Sequence, residues 1–319
     1  MNKNFSLDKK VKNWLLEGDP SVVFLTNKYL LNSSNEILLS LQEKAEKKGW
    51  IKRLLDLQAD NYTWGNGLYS PKWISTHYTL LLLKRLEINP ENDKCKKSTE
   101  LLLEKGFFEK ENCINFSKTD RGSDVCVTAM ILMMLSYFKI YDKRMERFID
   151  FLIHNQFNDG GWNCRLMDIH SSVHTTLSVL ESFHEFKKHS DYKKSKIERM
   201  ESEGKEFLLS HELFKSSRTG KVISKQFKML SFPPRWKYDI LKAMEYFSNS
   251  NTNYDERMED AVKIIINKKR KDNTWPLQNK HPGLVFFDLE KTGSSSKINT
   301  LRVNRIIKNY FSKINHLLT

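Results

Sequence analysis

Residues Phe151–Cys164 read FLIHNQFNDGGWNC. An apolar helical stripe ends at His154 and Asn155, an Asn-Asp-Gly-Gly turn follows, and a Trp stands directly after it. Two other stretches repeat the plan: LLDLQADNYTWG at Leu54–Gly65 and IIINKKRKDNTWP at Ile264–Pro276. A helix end, a polar turn and a Trp recurring three times mark a repeat architecture, with the Trp packed back on the helix it follows.

Each turn leads toward a segment that is apolar on nearly every side. These are WISTHYTLLLLKRL (Trp73–Leu86), SDVCVTAMILMMLSYF (Ser123–Phe138), SSVHTTLSVLESFHEF (Ser171–Phe186), RWKYDILKAMEYF (Arg235–Phe247) and SKINTLRVNRIIKNY (Ser296–Tyr310). PSVVFLTNKYLL (Pro20–Leu31) is a shorter member. A helix apolar all round is buried on all sides. The intervening segments, 35–58, 93–105, 142–156, 193–210 and 254–268, carry ordinary amphipathic stripes. Buried and amphipathic helices alternating at a fixed period describe an inner and an outer layer. Placing the apolar helices in register sets His77, Cys126, His174 and Tyr238 at equivalent positions, the last step being lengthened by an insertion over 215–234. Closure of the layers into a ring does not follow from the period.

The chain of 319 residues has 12 Gly and 7 Pro, too few for a turn-rich β protein. Its 53 Lys and Arg against 39 Asp and Glu give a net charge of +14. These cations are interleaved with Glu along amphipathic helices rather than gathered in an Arg-rich stripe, which speaks against nucleic acid and for solvated faces or an anionic small ligand. Cys95, Cys113, Cys126 and Cys164 are too few for a disulfide framework. The N-terminus lacks the apolar run of a signal peptide, and the longest apolar stretch, 125–138, is too short to span a bilayer. A cytoplasmic protein without a transmembrane segment is expected.

The turn carrying Gln156, Gly161 and Trp162 resembles the QW motifs of squalene and terpenoid cyclases. Over nearly its full length the chain resembles bacterial prenyltransferase or squalene-cyclase-like repeat proteins, in WLLEGDPSVVFL (from Trp14), HTTLSVLESF (from His174), SFPPRWKYDILKAMEYF (from Ser231) and WPLQNKHPG (from Trp275). The resemblance implies an all-α fold, an α/α-toroid of about five to six helical hairpins, as one domain over 1–319 with 1–34 as a helical cap or first repeat. Fold alone does not supply the reaction.

Cyclases of the second class protonate an alkene with an Asp-x-Asp-Asp motif. No such tetrad occurs here, and Asp168 and Asp239 stand alone. Protein prenyltransferase β subunits bind zinc with Asp-x-Cys at one inner-helix start and His at the next. Asp124-Val125-Cys126 and His174 match that pattern, and their resemblance implies a catalytic Zn2+ on Asp124, Cys126 and His174 with an open fourth position. Lys118 and Arg121 keep the spacing of the family's diphosphate-binding pair with the two residue types exchanged. Val127 replaces the family's Tyr, and the diphosphate His falls near Ser75 with His77 close by. A plainer reading stands beside this one: Asp124 as a helix cap, Cys126 as a small buried residue and His174 as a hydrogen-bonded core histidine.

Arg165 and Arg235, near helix starts, extend the candidate basic rim. His77 and Tyr78 are candidate cavity lining, and His281 is placed to reach the same mouth. Asp239 is expected to pair with Arg235 or to contact substrate. The set implies an isoprenoid-handling enzyme, with an apolar central cavity for the prenyl chain, a basic rim for its diphosphate, and a protein or small thiol as acceptor. The alternatives are a non-catalytic toroid that holds a lipid or peptide, and a terpene-cyclase-like or carbohydrate-active toroid marked by acidic pairs facing the cavity. Each reading puts any site at the starts of the inner helices.

Overall fold

A computed structural model of the chain describes residues 5–117, 124–165 and 168–318. Among these are thirteen α-helices: α1 (Lys9–Leu16), α2 (Pro20–Thr26), α3 (Asn35–Lys47), α4 (Trp50–Asp56), α5 (Thr76–Arg85), α6 (Asp93–Gly106), α7 (Val125–Tyr137), α8 (Arg144–His154), α9 (Val173–Phe186), α10 (Lys194–Ser210), α11 (Ile240–Asn249), α12 (Glu259–Ile266) and α13 (Lys297–Ile314). Beside them stand a π-helical turn (Asn27–Leu31), three short 3-10 helices, and two ladders of two-residue strands: β1 (Phe107–Phe108) with β2 (Cys113–Ile114), and β3 (Trp275–Pro276) with β4 (Ser295–Ser296). No helix among the described residues is long and apolar enough to cross a membrane.

The all-round apolar segments form the inner helices. In α7 only Cys126 and Tyr137 escape full burial, whereas α8 buries one stripe, Met145, Phe148, Ile149, Phe151 and Leu152, at helical spacing. Helix α5 packs on α7, α7 on α9, α9 on α11 and α11 on α13. Outer helices α6, α8, α10 and α12 pack on α5, α7, α9 and α11 respectively. The last helix also packs against the first two, and Lys308 of α13 holds the turn after α2, donating to the carbonyl of Tyr29 at 2.9 Å and to Asn32 Oδ1 at 2.8 Å.

The Trp turns are one device used three times. Trp64, Trp162 and Trp275 each donate an indole N–H to a carbonyl ten residues earlier, that of Leu54, Leu152 and Ile265, at 2.7–2.8 Å. Each Trp backbone N–H is taken by a Thr hydroxyl of the following inner helix: Thr76 at 3.1 Å, Thr176 at 2.9 Å and Thr300 at 2.9 Å. In every case the turn is closed by a backbone bond between the residues five and one before the Trp. A buried indole thus fastens one hairpin internally while its own amide fastens the next, which leaves no polar group of the staple unpaired. At the α6–α7 junction Ile114 stands in for the Trp and donates to Thr128 at 3.0 Å.

The staple fixes the repeat register and corrects the alignment made on sequence. Thr76, Thr128, Thr176 and Thr300 are equivalent, so Cys126 and His174 do correspond, each two residues before its Thr. His77 follows its Thr by one and is displaced by three positions. The fourth inner helix is also shorter than expected. It begins at Ile240, because Arg235 adopts a left-handed conformation (φ 57°) and Asp239 caps the helix through a 2.8 Å bond from Lys242 N–H. Asp239 is therefore spent on the cap rather than paired with Arg235.

The insertion before α11 ends in a buried segment, residues 230–235. Its backbone is held from two sides. Phe232 N–H donates to Asn279 O at 3.1 Å, while Arg302 Nη1 reaches the carbonyl of Ser231 at 2.8 Å and Asn299 Nδ2 that of Leu230 at 3.3 Å.

Candidate functional site

The three expected zinc ligands do not meet. Asp124 stands at the cap position of α7 with no side-chain cap bond, and Cys164 Sγ donates to its Oδ1 at 3.6 Å. Cys126 lies beside the same Cys164, and that thiol contact together with burial holds it well above the usual thiol range. With no cation beside it among the described residues, such a thiol keeps its proton. His174 turns to the next repeat, where its Nδ1 accepts from Tyr238 N–H at 2.8 Å and its ring lies among Phe227, Trp236 and Tyr238. Among the described residues no group of three or more His, Cys, Asp or Glu side chains is placed to hold a metal ion. Lys118 and Arg121 lie outside the described residues. Arg165 is exposed on the loop before α9.

The starts of the inner helices nevertheless gather the other candidates. His77 is fully buried between Tyr69 (centroids 5.2 Å apart) and Tyr78 (4.9 Å), and neither ring nitrogen has a hydrogen-bond partner among the described residues. Burial, with Lys72 nearby, drops its pKa to about 3, so the imidazole is neutral. Burial also pushes the Tyr69 and Tyr78 phenols up. His281 occupies a left-handed turn position (φ 58°), with Nδ1 2.9 Å from Asn279 Nδ2 and Nε2 without a partner. Burial and the charges of Lys237, Arg235 and Lys242 lower it to about 4.

Arg235 is the most demanding group. It is 6% exposed, its guanidinium lies 5.5 Å from the Trp73 ring centroid, and its Nε has no hydrogen-bond partner. No carboxylate among the described residues pairs with it. Burial brings even this guanidinium down to about 10. Lys72 stands within 5.4–5.9 Å of the Tyr69, Trp73 and Trp236 rings, and the Trp236 indole N–H is likewise unpartnered. Sequence reading singled out neither Trp73 nor Trp236. The signal that separates them from the three staple tryptophans is position: both stand next to a cation at an inner-helix approach, Lys72-Trp73 and Arg235-Trp236. Arg235 borders a crevice of about 30 Å³ walled by Trp73, Leu82, Phe232, Phe286 and Phe287.

A larger cavity, about 450 Å³, lies toward the opposite ends of α5, α7, α9 and α11 and receives residues from α2 and α13 as well. The interior was expected to be apolar. Lys84, Arg85, Glu181, Glu185, Glu245 and Arg302 line this space instead. Ion pairs satisfy them there: Arg85–Glu181 at 2.6 Å, Lys84–Glu185 at 3.3 Å and Arg302–Glu245 at 2.6 Å. The cations hold Glu181 down near 2 against the effect of its burial, so it is no proton donor at neutral pH.

No family model and no curated protein matches the chain. Among solved structures it is similar to a protein from Actinoplanes, at 14% identity over 91% of this chain and 89% of that one, with a TM-score of 0.47. It is also similar to the type II terpene cyclase MstE from Scytonema, at 12% identity over 94% and 90%, TM-score 0.43. A variant of that cyclase in complex with geranylgeranyl dihydroxybenzoate matches at 13% identity over 94% and 89%, TM-score 0.42. These likenesses are distant, and the reading of the site rests on its own geometry.

Proposed function

We propose that the chain is a single closed α/α-toroid that binds an amphiphilic anion of the isoprenoid-diphosphate class at the starts of its inner helices. The packing of α13 on α1 and α2 supports closure. One observation carries the ligand: Arg235, a buried guanidinium with no counter-charge, beside an aromatic wall. An unpaired buried charge is costly unless something pairs with it. An oxyanion on Arg235 and Lys72 meets that need, and the N–H of Trp236 can donate to its remaining oxygens. The prenyl chain then lies along Trp73, Phe232, Phe286 and Phe287. A crevice of about 30 Å³ has room for little more than a water molecule, so entry of a chain requires the 285–289 strap to move outward.

The reading is one of binding. Cys126 lies against Cys164 and His174 accepts from Tyr238 N–H, and prenyl transfer is not part of the proposal. Quenching of tryptophan fluorescence by farnesyl diphosphate tests it. Saturable quenching is expected, weakened at least tenfold in Arg235→Gln. Equal binding by that variant, with its fold intact by circular dichroism, would refute the site.

A further inference from the structure

We infer that the cavity at the far ends of the inner helices is a second binding site, for a small dianionic oxyanion such as a phosphate monoester and without an apolar tail. The juxtaposition behind it is six cations, Lys28, Lys84, Arg85, Lys188, Arg302 and Arg305, facing four carboxylates, Glu87, Glu181, Glu185 and Glu245, around one open volume of about 450 Å³. That volume falls in the range of small-molecule pockets.

Every one of the four carboxylates is already engaged, and two are shared. Glu185 serves Lys84 at 3.3 Å and Lys188 at 3.2 Å. Glu181 serves Arg85 at 2.6 Å and, from just behind the wall, Lys242 at 3.3 Å. Glu87 takes Lys28 and the Tyr29 hydroxyl, and Glu245 takes Arg302. Arg305 has no carboxylate partner among the described residues, and its guanidinium lies 3.3 Å from the centroid of the Tyr29 ring. Arg85 Nε is buried without a hydrogen-bond partner. The lining is therefore short of about two negative charges, which is what a phosphate monoester carries near neutral pH.

Two plainer accounts cover only part of this. Cations near helix C-termini answer the helix dipole, and that accounts for Lys84 and Arg85 at the end of α5. Arg302 and Arg305 stand in the first half of α13, where the dipole gives them no support. Ion pairs that serve only as glue close upon one another, whereas these enclose open space. The walls differ from those at the other end in that ten charged side chains outnumber the apolar ones, Leu25, Phe232, Ile298 and Leu301.

Titration calorimetry with inorganic phosphate, at constant ionic strength, decides the matter. Saturable binding in the cavity is expected, at least tenfold weaker in Arg305→Gln and retained when Arg235→Gln removes any contribution from the helix starts. Lys188→Gln, at the more exposed rim, provides a second variant should Arg305→Gln fail to fold, with a smaller loss of several-fold expected. No binding of phosphate, or binding that survives both cavity substitutions, overturns the inference. Phosphate binding lost only in Arg235→Gln overturns it as well, while leaving the amphiphile site at the helix starts intact.

Discussion

The two ends of the inner helices solve the problem of interior charge in opposite ways. At their starts there is almost no space, yet Arg235 is buried without a counter-ion and His77, His281 and Trp236 keep unpartnered polar atoms. At their far ends there is ample space, yet nearly every charge has a partner across the cavity. The cation buried without any counter-ion and the largest shared volume of ion pairs thus lie at opposite ends of the inner helices. A search for the largest hole and a search for the loneliest charge find different places, and each calls for its own ligand.

That contrast can be broken most forcefully at a paired residue. Arg302→Met strands Glu245 and the Ser231 carbonyl in the interior, and a loss of roughly 3–5 kcal/mol is expected in chemical denaturation. Trp162→Ala, outside both linings, is expected to cost about 3–5 kcal/mol through the emptied indole volume and the lost bond to Leu152. It calibrates what the ring itself is worth. Arg235→Met should have the opposite sign. Removing a solitary buried charge stabilises the unliganded protein by about 1–3 kcal/mol while abolishing anion binding at the helix starts, so a rise in melting temperature accompanied by lost farnesyl diphosphate quenching is the signature. An equal loss of stability in the two arginine variants would erase the distinction between the ends.

Acid provides the gentlest probe. His77, facing Tyr69, Tyr78 and Lys72, has a folded-state pKa of about 3, below its unfolded value of 6.5, so the unfolded chain takes up the proton first. His174 and His281 are lowered in the same direction, to about 4. Their contribution is intact above pH 6.5 and is lost as pH falls toward 4. For His77 the slope is about 1.4 kcal/mol per pH unit. Denaturation series between pH 7 and pH 4.5 should therefore flatten by about that amount in His77→Leu. A slope unchanged by this substitution would mean that His77 carries its proton in the fold.

The inner and outer helices were legible because burial on all sides and burial on one side leave different patterns, as α7 and α8 show. The turns around Trp64, Trp162 and Trp275 were legible because their chemistry is local. Their partners Thr76, Thr176 and Thr300 were visible as letters but carried no signal of role, and aligning on histidine rather than on threonine shifted His77 by three residues. What could not be read is long-range pairing. Arg85 and Glu181 are 96 residues apart, and nothing near either one indicates that they meet. The same applies to Cys126, whose neighbour Cys164 comes from the loop beyond α8.

Phe232 lines both the crevice beside Arg235 and the charged cavity. Among the described residues it is the one side chain common to both linings, and it is carried by a loop rather than by an inner helix. A partition one ring thick behaves as a shared wall: whatever presses on it from one compartment alters the room available in the other. The occupants of the two sites would then compete for, or cooperate over, the position of a single aromatic ring. The insertion that supplies it would set how the two compartments communicate without contributing to the chemistry of either.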